Sequence, residues 1–267
     1  MPTRIIIVGA LGRMGREIGK LACEEGSFKI VGCLEADAHP LLGSDYGLLL
    51  GEKSLGVNVV PDISKASVTN AVIINFSSPD AVDSFLDSIE KKRTRLVLGT
   101  TGLTAKTQQR IRELADRIPI VFSPNMSLGV NLLFYLTRLV AAKLKDDFDI
   151  EIIEAHHRFK KDAPSGTARR LGEIVAAELG KSYDAAVKNG RSGMPGERSG
   201  SEIGMHAIRG GDIVGDHTVL FAGLGERIEL RHIAHSRRTL AKGALAAAAW
   251  LEDKSAGLYS MHDVLGL

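Results

Sequence analysis

Residues 4–10 (RIIIVGA) form an unbroken, β-branched apolar run, the pattern of a strand covered on both faces. The spacing then turns helical over residues 12–26. Met14, Ile18, Leu21 and Ala22 share one face there, and Gly26 can end the helix. The two periods continue to alternate. Strands are predicted at 28–35, 71–77, 95–101 and 118–125, with helices from Pro79 to about Lys91 and from Ala105 to about Arg117. Strands that alternate with helices imply βαβ units and a parallel, doubly wound sheet. Residues 39–61 break the rhythm and read as an excursion carrying a short strand at 57–60.

After Pro124 the pattern changes. Residues 127–147 read as one long helix, 148–157 alternate as a strand with one covered face, and 165–180 form an amphipathic helix ending at Gly180. Pro164 is placed in the first turn of that helix, with Ser165 or Asp162 as its cap. Residues 189–204 read as a Gly- and Ser-rich loop. The runs 204–209, 216–223 and 225–236 read as neighbouring antiparallel strands, and 237–253 as a helix. The fold expected is therefore α/β. A Rossmann-like doubly wound domain spans 1–126, with 238–267 packing back on it, and an α+β domain with a mixed or antiparallel sheet spans 127–237.

Composition narrows the function classes. The chain has 267 residues, room for two domains, with 44% hydrophobic and 25% charged residues. No apolar run approaches the roughly 18 residues of a membrane helix, and the N-terminal run lacks a following cleavage site, so it reads as a strand and not a signal peptide. Cys23 and Cys33 form neither a disulfide framework nor a metal pattern, which suits a reducing, cytoplasmic setting. A net charge of +2 gives no broad nucleic-acid surface. Positive charge is concentrated locally.

Candidate chemistry begins at GALGRMG, with Gly9, Gly12 and Gly15 between the first strand and helix. A dinucleotide site needs a tight turn, backbone close to the pyrophosphate, and a small residue where helix crosses strand; the helix N-terminus then faces the phosphates. The GxxGxxG spacing is a variant of the usual motif. Glu35, at the end of the second strand, is placed to accept hydrogen bonds from an adenosine ribose. Ala36 and Asp37 follow it with no Lys or Arg to meet a 2′-phosphate, which favours NADH over NADPH. The loops GTTG (99–102) and SPNMS (123–127) share the carboxyl end of the same sheet.

The stretch EAHHRFKKDAPSGTA (154–168) gathers two histidines, an arginine and two lysines just before a helix. Gly166 and Thr167 offer a backbone cradle for a carboxylate, His157 a second cationic donor, and Lys160 or His156 a proton source. Lysine is charged at neutral pH, whereas a free imidazole titrates near pH 6.5. His39, His206, His217, His232, His235 and His262 lack metal-ligand spacing and are assigned no catalytic role, and no metal is expected.

Together with GALGRMG, GTTG, NMSLGVN and GDIVGDHTVLF, the string EIIEAHHRFKKDAPSGTA resembles the 4-hydroxy-tetrahydrodipicolinate reductase (dihydrodipicolinate reductase) family over essentially the whole chain. The resemblance implies NADH- or NADPH-dependent reduction of a cyclic imine dicarboxylate in diaminopimelate and lysine biosynthesis, by a homotetramer built through the second domain's sheet. It also implies that Gly9, Ala10, Leu11, Gly12, Arg13, Met14 and Glu35 hold the dinucleotide. Gly99, Thr100 and Thr101, with Ser123, Pro124, Asn125 and Met126, would contact its nicotinamide half. His156 would be proton donor or acceptor, Lys160 proton donor, and His157, Gly166 and Thr167 substrate ligands. Many members carry Arg where Ala36 stands. Two other readings compete: an aspartate- or homoserine-type dehydrogenase, and a non-catalytic dinucleotide-sensing regulator.

Overall fold

The computed structural model describes residues 1–66, 69–92, 94–200 and 202–267. These divide into two compact units, Met1–Leu128 with Arg237–Leu267, and Gly129–Ser236.

In the first unit the strands β1 (Thr3–Val8), β2 (Phe28–Leu34), β3 (Val59–Val60), β4 (Ala71–Asn75), β5 (Arg95–Leu98) and β6 (Pro119–Phe122) all pair in parallel. Helices α1 (Arg13–Glu25), α3 (Pro79–Ile89) and α4 (Ala105–Ala115) connect them, and α2 (Tyr46–Leu50) lies in the 39–61 excursion. The continuous apolar runs are explained by two cores. Ile5 and Ile7 of β1 join Val72, Ile74 and Val97 in the core that takes Ile18 and Leu21 of α1. Ile6 and Val8 face the other way, joining Ile73, Leu96 and Leu98 under Val82, Leu86 and Ile111 of α3 and α4. With both faces buried, neither face can be polar.

The second unit holds α5 (Leu128–Leu144), β7 (Asp149–His156), α6 (Gly166–Glu178), α7 (Tyr183–Ala186), β8 (Val187–Asn189), β9 (Ile203–Arg209), β10 (Gly215–Gly223) and β11 (Glu226–Ala234). Its five-stranded sheet runs β11-β10-β7-β9-β8. The expected all-antiparallel neighbourhood of the last three strands is corrected here. β10 is antiparallel to β11, but β7 sits between β10 and β9, and β9 runs parallel to both β7 and β8. The loop predicted at 189–204 contributes Asn189 to β8 and its last two residues to β9; Ser201 lies outside the described residues. Val130, Phe134, Leu171 and Val175 cover one face of the sheet, against Ile150, Ile152, Met205, Val219 and Phe221.

The chain then returns to the first unit through α8 (Arg238–Trp250), whose Ala241, Ala244, Leu245 and Ala248 enter the same core as α1. Two elements follow that periodicity did not predict: β12 (Gly257–Tyr259) and α9 (Met261–Leu265). β12 pairs with β6 and completes the order β12-β6-β5-β4-β1-β2-β3. Among the described residues no helix is long and apolar enough to cross a membrane.

Candidate active site

Gly9 to Gly12 make the turn between β1 and α1, and Arg13 and Met14 open the helix. Gly9 adopts φ +73°, and a Cβ there would lie 2.9 Å from the Phe76 carbonyl oxygen. A Cβ on Gly15 would lie 2.2 Å from the Gly9 oxygen, so glycine lets α1 cross directly over the turn. The Glu35 carboxylate closes the turn by accepting from the Leu11 N–H at 2.9 Å, while its other oxygen accepts from the Ala36 N–H at 3.1 Å. Arg13 is exposed. Arg16 instead braces the turn, donating to the Leu11 oxygen at 3.0 Å and to the Leu49 oxygen at 2.8 Å.

The excursion proves to be a support for this loop. The hydroxyl of the fully buried Tyr46 lies 2.8 Å from the Gly15 carbonyl oxygen and 3.1 Å from that of Ala10, the two sharing its one hydrogen. Nothing in the spacing of residues 39–61 points to that contact. A cavity of about 490 Å³ opens beside Gly9, lined by Glu35, Ala36, Asp37 and Asp62 and by Ser77 and Ser78. Among the described residues no lysine or arginine lines it.

The other two predicted loops of this unit are held by internal bonds. Gly99 is required by the Phe76 ring, whose Cε1 a Cβ would approach to 2.3 Å. The Thr100 hydroxyl donates to the Ser77 oxygen at 3.2 Å, whereas Thr101 is exposed. The Ser123 hydroxyl donates to the Asn125 oxygen at 2.8 Å, and the Asn125 side chain accepts from the Ser127 N–H at 2.9 Å. Pro124 is exposed, and the Met126 side chain belongs to the core.

In the second unit, the alternation that buries Ile150 and Ile152 continues to Glu154 and His156 on the same face. The covered face thus ends in a carboxylate and an imidazole. Glu154 is wholly buried and accepts hydrogen bonds from both terminal nitrogens of Arg209 (2.8 Å each) and from the Ser165 N–H (3.0 Å), and its Oε2 lies 2.6 Å from the His156 Nδ1. Burial works against its ionisation, but the bonds from Arg209, His156 and Ser165 outweigh it and hold the carboxyl below its ordinary range. For His156 burial dominates over the pull of Glu154, and its pKa is lowered.

Ser165 caps α6, accepting from the Ala168 N–H at 3.2 Å. Pro164 thus lies before the helix, not in its first turn, a correction that makes Gly166 and Thr167 the first two helical residues. The first intrahelical donor is Arg169, bonded to the Ser165 oxygen at 2.8 Å. A Cβ on Gly166 would meet nothing within 4 Å. Lys160 pairs with Asp162 at 2.9 Å, while Arg158 and Lys161 are exposed. His157 has a buried Nδ1 with no hydrogen-bond partner among the described residues.

Four groups at this cluster escaped the sequence reading: Glu154, Arg209, Ser165 as a bridging group, and His217. His217 stands opposite Glu154 in the β7–β10 register, 3.1 Å from the Ser165 hydroxyl and 5.2 Å, ring to ring, from His156. A legible signal existed for Glu154: a carboxylate at a buried position of an alternating strand demands partners. Arg209 carried none.

The N-terminal domain of dihydrodipicolinate reductase matches residues 3–126 and the C-terminal domain residues 129–265. The chain belongs to the dihydrodipicolinate reductase family. A 4-hydroxy-tetrahydrodipicolinate reductase from Hahella chejuensis is 47% identical, covering 99% of both chains, and one from Pelobacter propionicus is 46% identical with the same coverage. Among solved structures, dipicolinate-bound dihydrodipicolinate reductase from Paenisporosarcina sp. TG-14 matches with a TM-score of 0.74 at 25% identity, over 97% of this chain and 98% of that one. An amine dehydrogenase from Mycobacterium smegmatis, 12% identical with a TM-score of 0.62 over 98% of this chain and 95% of that one, shares the fold alone. Membership of the reductase family makes the chain an NAD(P)H-dependent oxidoreductase and sets aside both the aspartate- or homoserine-type dehydrogenase and the dinucleotide-sensing regulator.

Proposed function

We propose that this chain reduces a cyclic imine dicarboxylate to tetrahydrodipicolinate with NAD(P)H, on the diaminopimelate route to lysine. The observation that carries the reading at the level of residues is the strand end at His156 tied to the open helix start at Gly166, beside Lys160. A molecule with two carboxylates suits that arrangement, as does the dipicolinate named with the related structure.

The first unit fits a dinucleotide by its own geometry: a turn that admits no Cβ at Gly9 or Gly15, a helix start behind it, and a cavity lined by both Gly9 and Glu35. In this reading residues Gly9 to Met14 follow the pyrophosphate and Glu35 takes the ribose. Residues Gly99 to Thr101 and Ser123 to Met126 present backbone groups to the nicotinamide half, since the Thr100, Ser123 and Asn125 side chains are already engaged. The bound dinucleotide supplies the hydride. Lys160 donates the proton that the reduced ring takes up, because a lysine side chain is charged at neutral pH, and His156 meets the substrate beside it as proton donor or acceptor. His157 and the N–H groups of Gly166 and Thr167 hold the carboxylates.

Three finer readings go with it. NADH is preferred to NADPH, supported by a cavity lined by Glu35, Asp37 and Asp62 with no cation among the described residues. The chain works as a homotetramer, supported by Ile208, Ile228 and Ile233, exposed by 51%, 39% and 41% on strands of the second sheet. It acts in the cytoplasm, supported by its free cysteines. The test is nicotinamide absorbance with freshly generated dehydratase product and each dinucleotide. Lys160→Ala should lower kcat by about 10²–10⁴ while leaving NADH affinity unchanged. Equal loss of both, or no turnover by the unaltered protein, refutes the reading.

A further inference from the structure

We propose that Glu154 is a positioning residue that locks His156 in the Nδ1–H tautomer and so leaves Nε2 as the basic, proton-accepting nitrogen of the site. The inference rests on the reading that His156 meets substrate.

Each Glu154 oxygen has two hydrogen-bonding partners. Oε1 takes the Ser165 N–H and one Arg209 nitrogen; Oε2 takes the other Arg209 nitrogen and His156 Nδ1. A guanidinium and a backbone amide can only donate, and an ionised carboxylate can only accept. Three of the four contacts therefore run toward Glu154 whatever its neighbours do. Arg209 grips the carboxylate with both terminal nitrogens, the geometry that favours the ionised form. The hydrogen in the 2.6 Å contact must then sit on His156 Nδ1. Were Glu154 protonated, it could donate to Nδ1 and the tautomer would reverse.

The opposite edge of the ring is kept clear. A Cβ on Gly215 would lie 3.1 Å from His156 Nε2, so any side chain there would press on that nitrogen. The carboxylate also joins two parts of the site. Through Oε1 it holds the residue that caps α6, and through Oε2 it holds the imidazole. Imidazole and cradle are thereby registered to one rigid group on β7, as a second layer of hydrogen bonds registers a reactive side chain elsewhere.

Nitrogen NMR of the His156 ring reads the tautomer in the full chain, with pyridine-2,6-dicarboxylate as the probe of the cradle. The unaltered protein should show Nδ1–H with Nε2 unprotonated. In Glu154→Gln the carboxamide can donate to Nδ1, and the ring should switch to Nε2–H. The same variant should lose about 10²–10⁴ in kcat, well beyond any loss of probe affinity, the pattern of a group felt in the transition state. Glu154→Asp, which restores the carboxylate, should return the Nδ1–H signal and part of the kcat. Gly215→Ala, which leaves Glu154 alone, should lower kcat without changing the tautomer.

An Nε2–H tautomer in the unaltered protein overturns the proposal, and so does a Gln variant that keeps Nδ1–H. It is also overturned if kcat falls only in step with probe affinity and thermal stability, the mark of a merely structural role. Should the Gln variant not fold, the unaltered protein's tautomer and the Gly215→Ala result decide. Absence of turnover by the unaltered protein would instead overturn the functional reading, and the tautomer measurement would still stand.

Discussion

Gly166→Ala separates what the fold needs from what a ligand needs. The position has no positive φ, and a Cβ there meets nothing within 4 Å. Neither backbone conformation nor packing in this chain calls for glycine. Alanine is favoured over glycine by up to about 1 kcal/mol in a helix interior, and by less in the first turn. The variant should therefore melt at the same temperature as the parent or slightly above it. A carboxylate hydrogen-bonded to the Gly166 N–H must come within about 2.9 Å of the nitrogen, close to where the new methyl stands. Losing one such charge-assisted bond costs about 1.5–3 kcal/mol, which is roughly a 10–100-fold loss of affinity. Titration calorimetry with pyridine-2,6-dicarboxylate, alongside a thermal melt and an NADH titration, measures all three terms. Weakened dicarboxylate binding with unchanged stability and NADH affinity is the expected result. A folded variant that binds the dicarboxylate as tightly as the parent would refute the cradle at the start of α6.

Tyr46→Phe removes the hydroxyl that satisfies the Ala10 and Gly15 carbonyls, so it should cost about 1–3 kcal/mol of stability and weaken NADH binding while sparing the dicarboxylate; unchanged NADH affinity would deny the excursion its supporting role. Ala36→Arg adds a cation to a cavity with none among its described residues and should move the NADPH-to-NADH ratio of kcat/KM upward by about 10–100-fold, and an unmoved ratio in steady-state assays would reject the charge argument. Burial pushes the His217 pKa down to about 3, so the unfolded chain takes up its proton first. This contribution is complete above about pH 6.5 and is lost as pH falls toward the folded value, reaching about 2 kcal/mol at pH 5. His217→Asn should lose correspondingly less stability between pH 7 and pH 5 in denaturant titrations, and matching losses in the two proteins would contradict a neutral buried imidazole.

Much of this molecule is written locally. Unbroken apolar runs such as Ile5–Ile7 announce strands with two covered faces, because the side-chain period of a strand leaves no polar position between two cores. The turn at Gly9 to Gly15 is equally local, since it depends on backbone angles and on a helix that starts within four residues of the strand. Ser165 as a cap and the 154–168 cluster follow from near neighbours as well. What periodicity states is which face of a strand is covered, and it is silent on which strand lies alongside. Runs spaced like hairpins suggested that β9 pairs with β10, yet β7 occupies that place. β12 joins β6 across more than half the chain, and no pattern near Gly257 foretells it. The site has the same division. His156, Lys160 and Gly166 stand in one short string, but the groups that orient them come from far along the chain: Arg209 reaches Glu154 across 55 residues, and His217 reaches Ser165 across 52. A buried carboxylate shows from its strand position that it must be paired; the identity of its partner is decided only when separate strands close into one sheet, because hydrogen bonds depend on distance in space and not along the chain.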